Sequence, residues 1–143
     1  MMLKLILPAI VIVFLLTACG GAEAPKTAIT LEMTDFAYSP VAVTIPADQT
    51  VVFTLENKGL VEHDFVIEGI EAHSNLVQDS GSESHQMHGQ VEEYDVHASA
   101  KTGETTVLEL TVSEPGAYQF FCSVEGHKEA GMIGELVVVA AGE

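Results

Sequence analysis

Tyr118-Gln-Phe-Phe-Cys-Ser-Val-Glu-Gly-His-Lys-Glu-Ala-Gly-Met132 sets a thiol, an imidazole and a thioether at regular intervals. Four residues separate Cys122 from His127, and four separate His127 from Met132. Soft sulfur donors beside an imidazole select copper among the common metals. Each residue alone has a plainer reading. A cysteine ending an apolar strand is often a small buried hydrophobe, a loop histidine is often solvated, and a methionine fills core. Their joint placement outweighs those readings. Cys122 ends the strand-like run from Ala117, and the strand Glu135-Leu-Val-Val-Val-Ala140 follows the loop directly. Glycines at 126, 131 and 134 allow tight turns between them.

Two His and one Cys in a trigonal plane, with a weak axial Met, make a blue-copper electron-transfer centre. The loop supplies three of those four donors. The fourth has to come from elsewhere, and Asn57-Lys-Gly-Leu-Val-Glu-His63-Asp-Phe offers His63. The candidate metal ligands are therefore His63, Cys122, His127 and Met132, holding one type 1 copper.

On these residues the chain resembles the cupredoxins, the blue-copper proteins that include plastocyanin, azurin, rusticyanin and auracyanin. The resemblance rests on Gly116-x-Tyr118, Phe121-Cys122, Gly126-His127, Gly131-Met132 and the segment from Asn57 to Phe65. It runs from Ile29 to Val139 and is most specific in the copper loop. The Cys-x4-His-x4-Met spacing is closer to rusticyanin and auracyanin than to plastocyanin. It implies single-electron transfer between redox partner proteins, with His127 near an exposed imidazole edge. The family often has Asn after its first His ligand, where this chain has Asp64.

The flanking sequence frames this domain. Met-Met-Leu-Lys followed by the twelve-residue apolar run Leu5–Leu16 reads as a signal peptide. That run is shorter than the roughly 20 residues of a membrane-spanning helix. Leu16-Thr-Ala-Cys19 resembles a bacterial lipobox, which implies cleavage before Cys19 and lipid on Cys19. Residues 1–18 are then a lipoprotein signal peptide, 19–27 a lipidated tether, and 28–143 one domain. The expected location is extracytoplasmic, anchored by lipid to a bacterial membrane. With Cys19 lipidated and Cys122 bound to metal, neither of the two cysteines is left for a disulfide.

Between the tether and the copper loop, apolar residues alternate in short runs. Ile29, Leu31 and Met33 form one such run. Val41, Val43 and Ile45 form a second, and Val51, Phe53 and Leu55 a third. Phe65 and Ile67, Val107 to Val112, Tyr118 to Cys122 and Glu135 to Ala140 continue the set. Period-two patterning of this kind predicts an all-β Greek-key sandwich of seven or eight strands. Phe36 and Tyr38 are expected to pack between the sheets. Residues 70–93 form one long polar insertion containing His73, His85, Met87 and His88. His85-Gln-Met-His88 offers donors for a second copper or zinc ion, but the stretch reads as a solvated loop.

Five Lys and no Arg face 21 acidic residues. Nucleic acid and anionic membrane surfaces are poor partners for such a chain. A redox partner with a basic surface would be steered toward it at low salt, and the chain itself is expected to be a monomer. Enzyme readings lack their residues. The neighbours of Cys122 are Phe121 and Ser123, so it lacks the adjacent His that multicopper oxidases and copper nitrite reductases use to reach a second copper. One Cys in the loop is too few for a dinuclear copper centre, and there is no His-Glu-x-x-His zinc motif. An electron carrier without catalysis of its own is expected. The alternative is a copper-handling protein, chaperone or scavenger, on the same fold.

Overall fold

A computed structural model of the chain describes residues 24–81 and 94–140. The expected signal peptide and lipidation site Cys19, and the candidate donors His85, Met87 and His88, lie outside these residues. Sequence alternation becomes alternating burial. β1 (Ala28–Thr34) and β4 (Val51–Asn57) bury every second side chain, as does β8 (Thr105–Val112). With β2 (Ala37–Ser39) and β6 (Ala72–Gln78) they form one sheet, ordered β2-β1-β4-β8-β6. β3 (Ala42–Pro46), β5 (His63–Ile67) and β7 (Val96–Ala100) join β9 (Gly116–Phe121) and β10 (Ile133–Val139) in the other. Its order is β3-β10-β9-β5-β7. β1 runs parallel to β4 and β3 parallel to β10, while the other pairs are antiparallel.

The sheets close on Leu31, Met33, Phe53, Leu55, Phe65, Leu108, Leu110, Phe120 and Leu136, all at most 1% exposed. Phe65 lies at the centre of this core, with ring centroids 5.4 Å from Phe53 and 5.1 Å from Phe120. The expected all-β sandwich is the fold observed.

Three details depart from the sequence reading. Among the described residues there are ten strands, not seven or eight. β6 occupies part of what reads as a polar loop. It is an edge strand whose side chains are almost all exposed, so no apolar alternation marks it. Pairing with β8 creates it, through backbone groups that carry no sequence signal. Phe36 does not pack between the sheets. It is 50% exposed, while Tyr38 is buried at 2%. Finally, the Lys26 N–H bonds the Thr44 carbonyl and the Val52 N–H bonds Thr27. The end of the expected tether therefore already runs along the sandwich.

Candidate metal centre

The site lies at one end of the sandwich, where the second sheet delivers its donors. His63 is the first residue of β5, Cys122 follows β9, and Met132 precedes β10. β5 and β9 are neighbours, paired through Val66–Phe121 and Ile67–Phe120. Strand pairing therefore brings together two residues 59 positions apart.

The loop between β9 and β10 is held by its own backbone. The Cys122 N–H donates to the Met132 carbonyl at 3.1 Å, and the Met132 N–H to the His127 carbonyl at 2.9 Å. Gly126 and Gly131 take φ of 80° and 103°. That is left-handed backbone, which glycine enters without a Cβ clash. Gly134 lies within β10 instead.

The other wall is fixed by Asn57, 1% exposed at the end of β4. Its Nδ2 donates to the carbonyls of Val61 and Ala100, each at 2.7 Å, and its Oδ1 accepts from the Gly59 N–H at 2.8 Å. The loop leading into His63 is thus tied to β4 and β7 through one side chain.

The donors converge. His63 and Cys122 are 0% exposed and His127 8%. Their nitrogen and sulfur donor atoms lie within 4.8 Å of one another. Cys122 Sγ is 3.5 Å from His127 Nδ1 and 3.9 Å from His63 Nδ1. The imidazole centroids are 5.0 Å apart. Met132 is fully buried in the same core cluster as Cys122.

Burial pushes the Cys122 thiol up, opposed in part by the N–H groups of Asp64 and Val124. Burial also pushes His127 down, helped by His63 and opposed by Asp35 and Asp64. The imidazole is therefore neutral near pH 7, as a metal ligand must be. Two soft sulfurs and two imidazoles among buried side chains fit copper.

Asp64 takes the place the family often gives to Asn. It is fully buried. Its N–H points at Cys122 Sγ at 3.4 Å, and its carbonyl accepts from Tyr38 Oη at 2.5 Å. Its Oδ2 accepts from Ser123 Oγ and lies 3.8 Å from His97 Nε2. The residues that directly follow the His63 and Cys122 donors are thus joined to each other.

Two residues at the site have no signal in the sequence. Asp35 and Phe36, in the turn between β1 and β2, touch the two imidazoles. Asp35 Oδ1 is 3.2 Å from His63 Nε2, and the Phe36 ring stands edge-on to His127 with centroids 5.0 Å apart. His127 therefore shows solvent only a narrow part of its ring.

Comparison with known proteins agrees with this geometry. The family model for copper binding proteins of the plastocyanin/azurin family matches residues 25–139. A copper-resistant cuproprotein CopI of Rubrivivax gelatinosus is 30% identical over 123 residues, covering 83% of this chain and 70% of that one. A second, from Pseudomonas aeruginosa, is 26% identical, covering 82% and 80%. Among solved structures, reduced auracyanin from Roseiflexus castenholzii superposes with a TM-score of 0.60 at 20% identity, covering 81% of this chain and 99% of that one. The chain belongs to the plastocyanin/azurin family of copper-binding proteins, a cupredoxin with His63, Cys122, His127 and Met132 as its type 1 copper site.

Proposed function

We propose that this cupredoxin is an extracytoplasmic electron carrier, tethered to a bacterial membrane by lipid on Cys19. The observation that supports it best is the convergence of His63, Cys122 and His127 in a buried, hydrogen-bonded pocket. Copper bound there supplies a one-electron Cu(II)/Cu(I) couple. The protein's part is to keep the donors fixed. Cys122 is held through its own N–H and that of Asp64, and His63 through the Asn57 loop. A site that changes little between oxidation states pays little reorganisation on each transfer. Electrons would pass at the His127 side, across the narrow exposed edge beside Phe36. No residue is assigned a catalytic role. The chain acts as a monomer, and its excess of acid groups suits a redox partner with a basic face.

Copper handling is the second reading, favoured by the name shared by the two CopI relatives. The two differ in what the bound copper does. A carrier shows reversible one-electron voltammetry and keeps its copper through many cycles. A handling protein gives Cu(I) up to a competing chelator or partner within a cycle, and that result would overturn the carrier reading.

A further inference from the structure

The turn between β1 and β2 belongs to neither ligand segment, yet it reaches both imidazoles. Asp35 Oδ1 accepts the Leu60 N–H at 2.9 Å and lies 3.2 Å from His63 Nε2. Asp35 is about one-third exposed, whereas the His63 side chain is fully buried. The approach is close on the Gly59 side. A Cβ on Gly59 would overlap both the His63 ring and the Asp35 carboxylate. Residue 59 therefore has to be glycine for this pair to meet. The next residue, Phe36, takes a φ of 67°. Bulky residues rarely adopt that backbone, and it sets the ring against His127.

Asp35 is a solvent-reaching carboxylate that accepts the Leu60 N–H, and an aspartate in such a setting is ionised at neutral pH. An ionised carboxylate only accepts hydrogen bonds. The hydrogen between the two groups must then sit on His63 Nε2, so that in the neutral, ligating form of the ring Nδ1 is the bare nitrogen. Nδ1 is the nitrogen that faces Cys122 Sγ. Carboxylates in this relation to a ligating His fix its tautomer and raise its basicity.

We propose that Asp35 is a positioning residue of the copper centre, which holds the His63 ring in its ligating tautomer and places a negative charge behind it that favours Cu(II) over Cu(I). The inference rests on the copper reading above. It adds a requirement that the four ligands alone do not imply, because a charge one residue behind a ligand acts more strongly on the doubly charged ion.

The test pairs Asp35→Asn with Asp35→Ala. In the asparagine variant Oδ1 still accepts from His63 and Leu60, so only the charge is lost. Alanine removes both. In the metal-free parent, nitrogen NMR of the imidazoles should find His63 protonated at Nε2. Asp35→Asn should keep that tautomer, and Asp35→Ala should mix the two. With copper, chelator competition should show Cu(II) affinity about 10–100-fold weaker in Asp35→Ala, the usual cost of losing such a partner, and Cu(I) affinity reduced less. Asp35→Asn should keep the visible band and shift the reduction potential upward. If Asp35→Ala fails to fold, the asparagine variant still reports on the charge. A parent His63 protonated at Nδ1, or variants with the parent's Cu(II) affinity and potential, would overturn the proposal. A parent that takes up no copper would overturn the copper reading, and the tautomer would still decide the role of Asp35.

Discussion

Cys122 meets two opposing requirements. Its surroundings raise the thiol, because a buried thiolate is poorly solvated. The metal needs that thiolate. Copper uptake at neutral pH must therefore release the Cys122 proton, whereas His127 arrives already neutral. Calorimetry in buffers of different ionisation enthalpy should detect the released proton, and affinity should fall as the pH is lowered. Cu(II) binding without proton release would mean that Cys122 is not a ligand. Met132 has a lighter role. As the fourth and weakest donor it would tune a bound copper without being needed to hold it. Met132→Leu should keep copper and colour and raise the potential, since losing a donor destabilises Cu(II) more than Cu(I). Met132→Gln should lower it, because oxygen is the harder donor. Voltammetry of both beside the parent decides, and an unchanged potential in both would remove Met132 from the axial position.

At the scale of elements, the loop from β4 to β5 depends on Asn57. Asn57→Ala leaves the Val61 and Ala100 carbonyls and the Gly59 N–H without their partner. Each buried group stranded in this way costs about 1–3 kcal/mol. Denaturant unfolding should show that loss, together with weaker copper binding through His63. A stability within experimental error of the parent would show that water replaces Asn57 freely. The strand β6 changes what a deletion in the polar stretch should do. Removing residues 82–89 spares β6, and the visible band should persist. Removing 74–89 takes most of the strand from β8 and should lower the melting temperature. Equal melting temperatures for the two deletions would make β6 dispensable.

Legibility in the sequence followed from how each element is stabilised. β1, β4 and β8 alternate because one face is buried, and they read clearly. β6 is held by backbone pairing at an edge, and β7 reads Val-His-Ala-Ser-Ala, where only Val96 is a sizeable apolar residue. Neither carries a strong apolar period. At the site, Cys122, His127 and Met132 announce themselves by spacing within one loop. His63 needs the strand pairing that the sequence only suggests. Asp35 sits 28 residues before His63 in an ordinary turn, and only the folded chain brings it to Nε2.

The whole molecule adds charge and pH. From residue 19 onward, four Lys face 21 acidic residues, a side-chain total of −17. Association with a basic partner should therefore slow steeply as salt rises. A salt-independent rate would leave acidity to solubility alone. In the metal-free protein, His127 has a depressed value in the fold. The unfolded chain protonates there first, so stability is lost as pH falls below about 6.5. Cys122 has a raised value. The unfolded chain releases that proton first, so stability is lost as pH rises above about 8.5. The metal-free melting temperature should thus be highest between these limits, and a rise below pH 6 would contradict the assignment of His127. The membrane tether has its own check: Cys19→Ser should free the protein from membranes or block its processing, and a mutant processed and retained as the parent would rule out the lipid.

The most direct measurement is a Cu(II) titration of the metal-free protein followed by its visible spectrum, with Cys122→Ser beside it. One intense thiolate-to-Cu(II) band should grow to a plateau at one copper per chain and be absent from the variant. No band in the parent, or the same band in Cys122→Ser, would contradict the site.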